Sequence, residues 1–266
     1  MLSYFYWINN YYKKKMYKED RIFISPKNED SKIWRYMDFT KFISLLDTQK
    51  LFFNRADKFN DPFEGCFPKI DVESYKNRIN ECFNGKLPKE EMDKRENLIV
   101  TSSEKITKFT IVNCWHINSH ESAAMWSLYV NSKEGIAIQT TFKEFKECFN
   151  KTEREVFIGK VKYIDYEIES IGNQDILSPF VHKRKSFKHE NELRAVLCEL
   201  PNDYNFDNVV YEFGSYIEID IHKLIQNVYV SPLAPKWFYE LVKSTISRFN
   251  FNFNVIQSNL YDKPIY

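Results

Sequence analysis

Side chains of the kinds that bind or activate substrates lie near the ends of several predicted strands. They are Arg35, Tyr36, Asn60, Asp61, Glu64, Trp115, His116, Lys185, His189, Glu190, Glu192 and Arg194. Carboxylates, guanidinium groups and imidazoles can move protons or hold charged ligands. Their spacing forms no GxGxxG loop, Walker lysine loop, GxSxG elbow or HExxH helix. The sequence therefore lacks the motifs that would indicate a dinucleotide-fold dehydrogenase, a P-loop enzyme, an α/β-hydrolase or a zincin.

The acidic pair near the end of this set has a structural alternative. Glu190 and Glu192 alternate along a predicted strand and so face one side of it. Basic residues nearby could pair with them as a surface network that contributes little to stability. These basic residues are Lys185, Lys188 and Arg194.

Arg35 also has a structural alternative, because it could pair with Asp61 or Glu64. These two carboxylates belong to the segment FNDPFEG (59–65). Pro62 restricts the backbone there, and the pattern predicts an ordered turn anchored by Phe59 and Phe63. An ion pair to Arg35 would then fix the turn rather than bind a ligand.

Metal chemistry has little support in this sequence. The histidines considered as ligands are scattered, and they are His116, His120, His189 and His222. The fragment EIDIHK (218–223) is acidic, but no separate acidic partner for it can be identified. We expect no metal site, and a metal-dependent nuclease ranks third among the functions considered.

The hydrophobic pattern predicts many short strands with helices between them. Predicted strands cover 33–36, 50–56, 108–117, 135–142, 155–166, 192–200 and 215–221, and a closing strand, helix and strand cover 225–232, 235–249 and 252–259. Predicted helices cover 39–49 and 122–130. The fold class is therefore α+β. We expect a single domain over 31–266, with a helical insertion at about 71–108, after an N-terminal extension over 1–30.

Composition limits the class of protein further. The 38 basic and 37 acidic residues nearly cancel, so no global field favours nucleic acid. The five cysteines are odd in number and contain no CxxC pair, which favours a reducing compartment. No stretch approaches the roughly 20 apolar residues of a membrane span, and the N-terminus lacks the order of a signal peptide. These features predict a cytoplasmic protein with no membrane partner.

Four segments resemble a widespread bacterial family of unknown function. They are WRY (34–36), FNDPFEG (59–65), MWSLYVNSKEGI (125–136) and ENELR (190–194). The resemblance covers about residues 33 to 260. The chain departs from the family pattern at Phe187-Lys188-His189, where a tryptophan usually precedes the acidic pair.

A second resemblance is architectural. The order of elements is similar to the ADP-ribosyltransferase fold, particularly the bacterial toxins that modify DNA. IWRYMDFTKFISLL (33–46), NELRAVL (191–197) and the closing strand, helix and strand occupy the same sequence of roles. The resemblance implies a split or bent mixed β-sheet with flanking helices.

This second resemblance implies roles for single residues. Glu192 falls where the fold places its catalytic glutamate, which stabilises the oxocarbenium-like charge that develops as nicotinamide leaves NAD. Arg35 falls where the fold places a first-strand His or Arg, and it would hold a phosphate or ribose of NAD. The other residues assigned to the NAD site are Tyr36, Trp115, His116 and Arg194.

The function implied is an NAD-consuming ADP-ribosyltransferase-like enzyme or NAD glycohydrolase, as a toxin or phage-defence effector. NAD would be a substrate, the acceptor would be nucleic acid or protein, and a neighbouring antitoxin or defence partner is expected. The alternative is a non-enzymatic module that binds a nucleotide or a protein on the same scaffold. An Arg35 and a Glu192 that open into one cleft would favour the enzyme.

Overall fold

The computed structural model of this chain describes residues 17–18, 20–83, 88–130, 132–172, 175–201 and 206–265. Within these ranges the protein is a mixed α+β fold, with helices flanking a large β-sheet. Residues 1–16 and 19 of the predicted N-terminal extension lie outside the described part. In the ranges described, no helix has the length and apolar character that a bilayer crossing requires.

The predicted elements correspond closely to those of the structure. The described strands are β1 (Lys32–Asp38), β2 (Lys50–Arg55), β3 (Thr110–Ile117), β4 (Gly135–Thr141), β5 (Phe157–Lys160), β6 (Lys162–Ile164), β7 (His182–Arg184), β8 (Glu192–Cys198), β9 (Gly214–Glu218), β10 (Asn227–Val230) and β11 (Asn254–Gln257). The described α-helices are α1 (Phe39–Thr48), α2 (Lys69–Cys82), α3 (Lys89–Thr107), α4 (Ala123–Tyr129), α5 (Phe142–Glu147), α6 (Ile221–Leu224) and α7 (Lys236–Arg248). Helices α2 and α3 occupy the predicted insertion.

Two predicted features of the strands differ in the structure. The single strand expected over 155–166 is divided into β5 and β6, and β6 leaves the main sheet to pair in parallel with β7. Glu190 is not in a strand, since it ends a 3₁₀ helix over Lys185–Glu190. Asn191 then adopts a left-handed conformation with φ of 38°, and β8 starts at Glu192.

The main sheet has the strand order β11-β10-β4-β1-β3-β2-β9, and β8 joins β5 to β3. Its pairs are antiparallel except for β10 with β11, which are parallel and connected through α7. This crossover confirms the predicted closing strand, helix and strand. A crossover connection is what parallel neighbours require.

The sheet is split beside the middle of β3. One edge of β3 pairs with β8 over seven residues, 110–116. On the opposite edge, β2 pairs at 111–112 and β1 pairs at 116–117, while 113–115 have no strand partner. Because β1 and β2 pair with the same edge of β3 at different positions, a gap separates them alongside 113–115. The gap exposes side chains from both halves of the sheet to a common space.

Buried apolar side chains lie on both faces of the sheet. The largest core packs on one face beneath α1, α5, α6 and α7. The opposite face carries two smaller cores, one around Val112, Phe180 and Val196 and the other around Tyr36 and Trp126. Alternation along each strand determines which side chains face which core.

Candidate active site

A cleft of about 570 Å³ lies at the split in the sheet. Its walls come from β1, α1, β2, β3 and α4, together with the turn 59–65 and the segment that leads into β8. Polar residues that line it include Arg35, Tyr36, His116, Tyr129, Lys183 and Glu192. Residues from five elements, β1, β3, α4, β7 and β8, are therefore brought to one space.

Arg194 forms the centre of a buried ion-pair cluster on β8. Its Nη1 and Nη2 donate to the two carboxylate oxygens of Glu64, at 2.6 and 2.9 Å. Its Nε and Nη2 donate to Glu192 at 3.1 and 3.3 Å, and Nη1 also donates to the carbonyl oxygen of Phe180. A guanidinium has five N–H donors, and these contacts use all of them.

The predicted role of Arg194 in binding NAD is therefore corrected. Its side chain is fully buried and has no donor left for a ligand. Burial lowers the pKa of an arginine, but the charges of Glu192 and Glu64 outweigh it and raise the pKa of Arg194 well above its ordinary value. Arg194 positions the two carboxylates and does not contact the cleft.

Lys183 joins the cluster from β7. Its ammonium donates to the carboxylate of Glu190 and lies 3.5 Å from Oε2 of Glu192. Between the two glutamates, Asn191 ends the 3₁₀ helix in a left-handed conformation. The network of Glu190 and Glu192 is buried rather than exposed, and Lys185 instead pairs with Glu169. The network considered from the sequence is therefore wrong in its surface location and in its partner Lys185, whereas the expected pairing of Arg194 with Glu192 is present.

Glu192 lies in the cleft wall as a buried carboxylate. Burial raises its pKa, but the charges of Arg194 and Lys183 outweigh this effect and hold the pKa of Glu192 below its ordinary value. The group is thus an anion at neutral pH. An ionised carboxylate offers about four acceptor positions, and two of its three charged contacts are 3.3 and 3.5 Å long. The thiol of Cys114 is a further hydrogen-bond partner of Glu192, so a ligand in the cleft would have to replace one of these contacts.

Arg35 does not pair with the turn, contrary to the alternative considered from the sequence. Asp61 is paired with Arg184 at 2.7 Å, and Glu64 is paired with Arg194. Nη1 of Arg35 is buried without a hydrogen-bond partner in the described part of the chain, and no ion pair there includes this residue. Burial lowers the pKa of Arg35. The cleft therefore holds a guanidinium that has no carboxylate partner among the described residues.

His116 lies in the cleft next to the ion-pair cluster. Its Nδ1 is 2.5 Å from the carbonyl oxygen of Glu190, which can only accept, so Nδ1 carries the proton. Nε2 is then an unprotonated acceptor, and it is buried without a partner among the described residues. Burial lowers the pKa of His116, which favours this neutral form.

The two aromatic residues assigned to the site have different positions. Tyr36 lines the cleft, where its ring packs edge-on against Trp126 and its hydroxyl accepts from the backbone N–H of Ser122 at 2.7 Å. Trp115 points into the large core, where it packs on Phe145 with ring centroids 4.9 Å apart. Its indole N–H donates to Asn113. Trp115 also borders the cleft, but its side chain is 2% exposed and packed in the large core, which corrects its assignment as a ring that stacks on a ligand.

The turn 59–65 holds one wall of the cleft in an ordered conformation. Asp61 accepts from the backbone N–H of Phe63, and Glu64 donates its N–H back to the carbonyl of Asp61. The ring of Phe63 packs against Tyr166 and beneath the guanidinium of Arg184. Phe59 packs against the smaller core. The predicted anchoring of the turn by its two phenylalanines is confirmed.

Lys183 was not identified as functional from the sequence, and Tyr129 was considered there as a core residue or a stacking platform. Lys183 appeared as one member of a basic run, and a run of that kind carries no signal that one ammonium is buried. Tyr129 had the helical spacing of a core residue, but it is 44% exposed and lines the cleft beside Glu190. Phe187, where the family pattern departs, lines the cleft with the ammonium of Lys183 4.6 Å from its ring centroid.

No family model, curated protein or solved structure matches this chain. The resemblances in the sequence therefore stay predictions. The proposed function therefore rests on the geometry of the cleft.

The fragment that suggested a nuclease has other contacts in the structure. Glu218 pairs with Lys50 across β9 and β2. Asp220 caps α6 and pairs with Lys151. In the portion of the chain that is described, no group of His, Cys, Asp and Glu side chains is arranged to hold a metal ion. The five cysteines are all free thiols.

Proposed function

We propose that this protein cleaves NAD at its nicotinamide ribosyl bond, as an ADP-ribosyltransferase or NAD glycohydrolase. The observation that carries the proposal is that Arg35 and Glu192 both line the cleft at the split in the sheet, although their side chains leave opposite faces of the sheet. The two residues are separated by more than 150 positions in the chain. A cation without a partner and an ionised carboxylate at one site fit a ligand that is anionic at one end and becomes cationic at the other.

The free guanidinium supports an anionic ligand. A buried cation without a partner is destabilising, and a bound anion relieves that penalty. The planar fork of arginine matches the oxygens of a phosphate group. Arg35 would therefore bind the pyrophosphate of NAD, and the exposed ring of Tyr129 lies in the same cleft for contact with the ligand.

Glu192 would act at the other end of the ligand. As nicotinamide leaves, positive charge develops on the ribose, and a fixed carboxylate stabilises that charge more than it stabilises the uncharged ribose of the ground state. Arg194 and Lys183 hold Glu192 in place and keep it ionised. The cluster supplies the fixed orientation that electrostatic catalysis requires.

A binding module without catalysis is the second candidate. The observation in its favour is that Glu192 is 5% exposed and already contacts two cations. A carboxylate with those contacts could serve only to hold β7, β8 and the turn 59–65 together. The cleft would then bind a nucleotide through Arg35 without breaking a bond.

Two measurements separate these candidates. NAD should raise the melting temperature of the purified protein, and nicotinamide should appear in solution with time. A rise in melting temperature without nicotinamide would favour the binding module. Neither response at millimolar NAD would contradict both, and the Arg35→Gln variant is the control for binding in the cleft.

A further inference from the structure

His116 has a position in the cleft that the roles of Arg35 and Glu192 do not explain. It lies directly opposite Glu192 in the antiparallel pairing of β3 with β8. Directly paired residues place their side chains on the same face, with Cβ atoms about 5 Å apart. The side chains of His116 and Glu192 therefore leave the same face of the sheet from neighbouring strands.

The hydrogen bond to Glu190 fixes which nitrogen of His116 can take up a proton. Nδ1 donates to the backbone carbonyl, so the lone pair of Nε2 is the free basic site. The side chain is 8% exposed and Nε2 has no partner in the described part of the chain. A buried acceptor left unpaired in a cleft indicates that a ligand supplies the missing donor.

We propose that Nε2 of His116 is the general base that deprotonates the acceptor of the ADP-ribosyl group. This inference rests on the proposed cleavage of NAD. It also defines the acceptor as a group that must lose a proton when it attacks, such as water or a hydroxyl, rather than a carboxylate.

The proposed step balances without a further reactant. The bond from the ribose C1′ to the nicotinamide nitrogen breaks, and its electron pair stays on nicotinamide, which leaves as a neutral molecule. The acceptor oxygen forms the new bond to C1′, and its proton passes to Nε2 of His116. The imidazolium that results is stabilised by the charge of Glu190 and afterwards loses its proton to solvent. No oxidation or reduction takes place.

The groups that face His116 determine its dependence on pH. Glu190 favours protonation, His189 opposes it, and burial has the largest effect and lowers the pKa. Tyr36 faces it from β1, with ring centroids 6.5 Å apart, and Glu192 faces it from β8. A base must be unprotonated, so the cleavage rate should fall as the pH falls through the pKa of His116.

The test uses hydrolysis of NAD by water, so that no other acceptor has to be known. His116→Asn keeps a donor near the position of Nδ1 for the Glu190 carbonyl but lacks Nε2. We expect this variant to bind NAD with the affinity of the wild type and to release nicotinamide about 100-fold more slowly or worse. Its rate should also lose the decline at low pH. His120→Asn makes the same change at an exposed neighbouring histidine and should behave as the wild type.

A second variant distinguishes a base from a structural residue. Imidazole added to His116→Ala should restore part of the rate, and a structural role would give no such response. The inference is overturned if His116→Asn and His120→Asn have equal rates and the same pH profile, or if imidazole fails to increase the rate of a folded His116→Ala. A wild-type protein that binds NAD and never releases nicotinamide would overturn the proposed function and this role with it.

Discussion

His116 and Glu192 lie directly opposite each other in the pairing of β3 with β8. The strands therefore place a neutral imidazole and an ionised carboxylate on the same face of the sheet at its split. Each is fixed from behind, His116 by the carbonyl of Glu190 and Glu192 by Arg194. Backbone pairing holds both groups more rigidly than loops would.

Removal of Arg194 should strongly destabilise the protein. Arg194→Met leaves the buried carboxylates of Glu64 and Glu192 with Lys183 as the nearest cation. A buried charge that loses its partner costs about 3–5 kcal/mol. We expect a loss of that size in the free energy of unfolding, measured by urea denaturation at pH 7.

Arg184→Gln is the matched control for Arg194→Met. Arg184 pairs with Asp61 at 2.7 Å, but its side chain is 35% exposed, so solvent can replace part of the interaction. The loss of stability should be clearly smaller than for Arg194. Equal losses would show that the buried cluster has no special importance for the fold.

The stability of the turn 59–65 should depend on Gly65 because of its backbone conformation and because of the close packing around it. Gly65 has φ of +74°, and a Cβ there would lie 2.5 Å from Cγ2 of Thr107 and 2.9 Å from the ring of Phe180. Gly172 has the same φ, but a Cβ there would meet nothing within 4 Å. Gly172→Ala should cost about 1 kcal/mol from backbone strain alone. Gly65→Ala should cost more in thermal denaturation, and equal costs would exclude a packing role for Gly65.

Stability should fall as the pH drops from 7 to 5, in part because of His182. This imidazole is buried, its Nδ1 donates to the carbonyl of Ser178 at 2.7 Å, and burial lowers its pKa in the folded protein. Between the folded and the ordinary pKa the unfolded chain binds more protons, so stability increases with pH there. The slope is up to about 1.4 kcal/mol per pH unit for each such group.

His182→Asn should reduce this slope, because it keeps a donor for Ser178 and removes the titrating ring. Urea denaturation at pH 5, 6 and 7 measures it. His120→Asn, at an exposed position, should keep the wild-type slope. Identical slopes in the two variants would contradict the assignment to His182.

The fold could be predicted from the sequence wherever the pattern was local. The helix α1 has regularly spaced apolar residues, and the closing strand, helix and strand are bounded by turns, so their existence and order were clear. The division of 155–166 into two strands was missed, because an apolar run does not show that the chain changes its sheet partner at Val161. The pairing of β3 with β1, β2 and β8, which creates the cleft, could not be predicted, because these strands are far apart in the sequence.

The sequence predicted several of the residues that line the cleft, but not which side chains pair with each other. Glu192 and Arg35 were identified from the order of elements. The pairing of Glu64 with Arg194 could not be predicted in this way, because the two residues lie 130 positions apart in the sequence. Trp115 and His116 are neighbours on one strand, and alternation sends one into the core and the other into the cleft. The face of β3 that would meet the core could not be known before the sheet was assembled.

The most direct test of the account compares nicotinamide release by the wild type, Glu192→Gln and Glu190→Gln. Both carboxylates contact Lys183, and both substitutions remove one charge from the same buried cluster. Because Glu192 also pairs with Arg194, Glu192→Gln should lower the melting temperature at least as much as Glu190→Gln. Only Glu192 is placed to oppose the developing ribosyl cation, and its loss should reduce the rate by a factor that corresponds to about 3 kcal/mol or more.

NAD affinity should stay near the wild-type value in Glu192→Gln, because the amide oxygen can still accept from a ribose hydroxyl. The account predicts a wild type that releases nicotinamide, a Glu190→Gln variant that retains most of that rate, and a Glu192→Gln variant that binds NAD without cleaving it. Equal rates in the two variants, or no nicotinamide from the wild type, would contradict it.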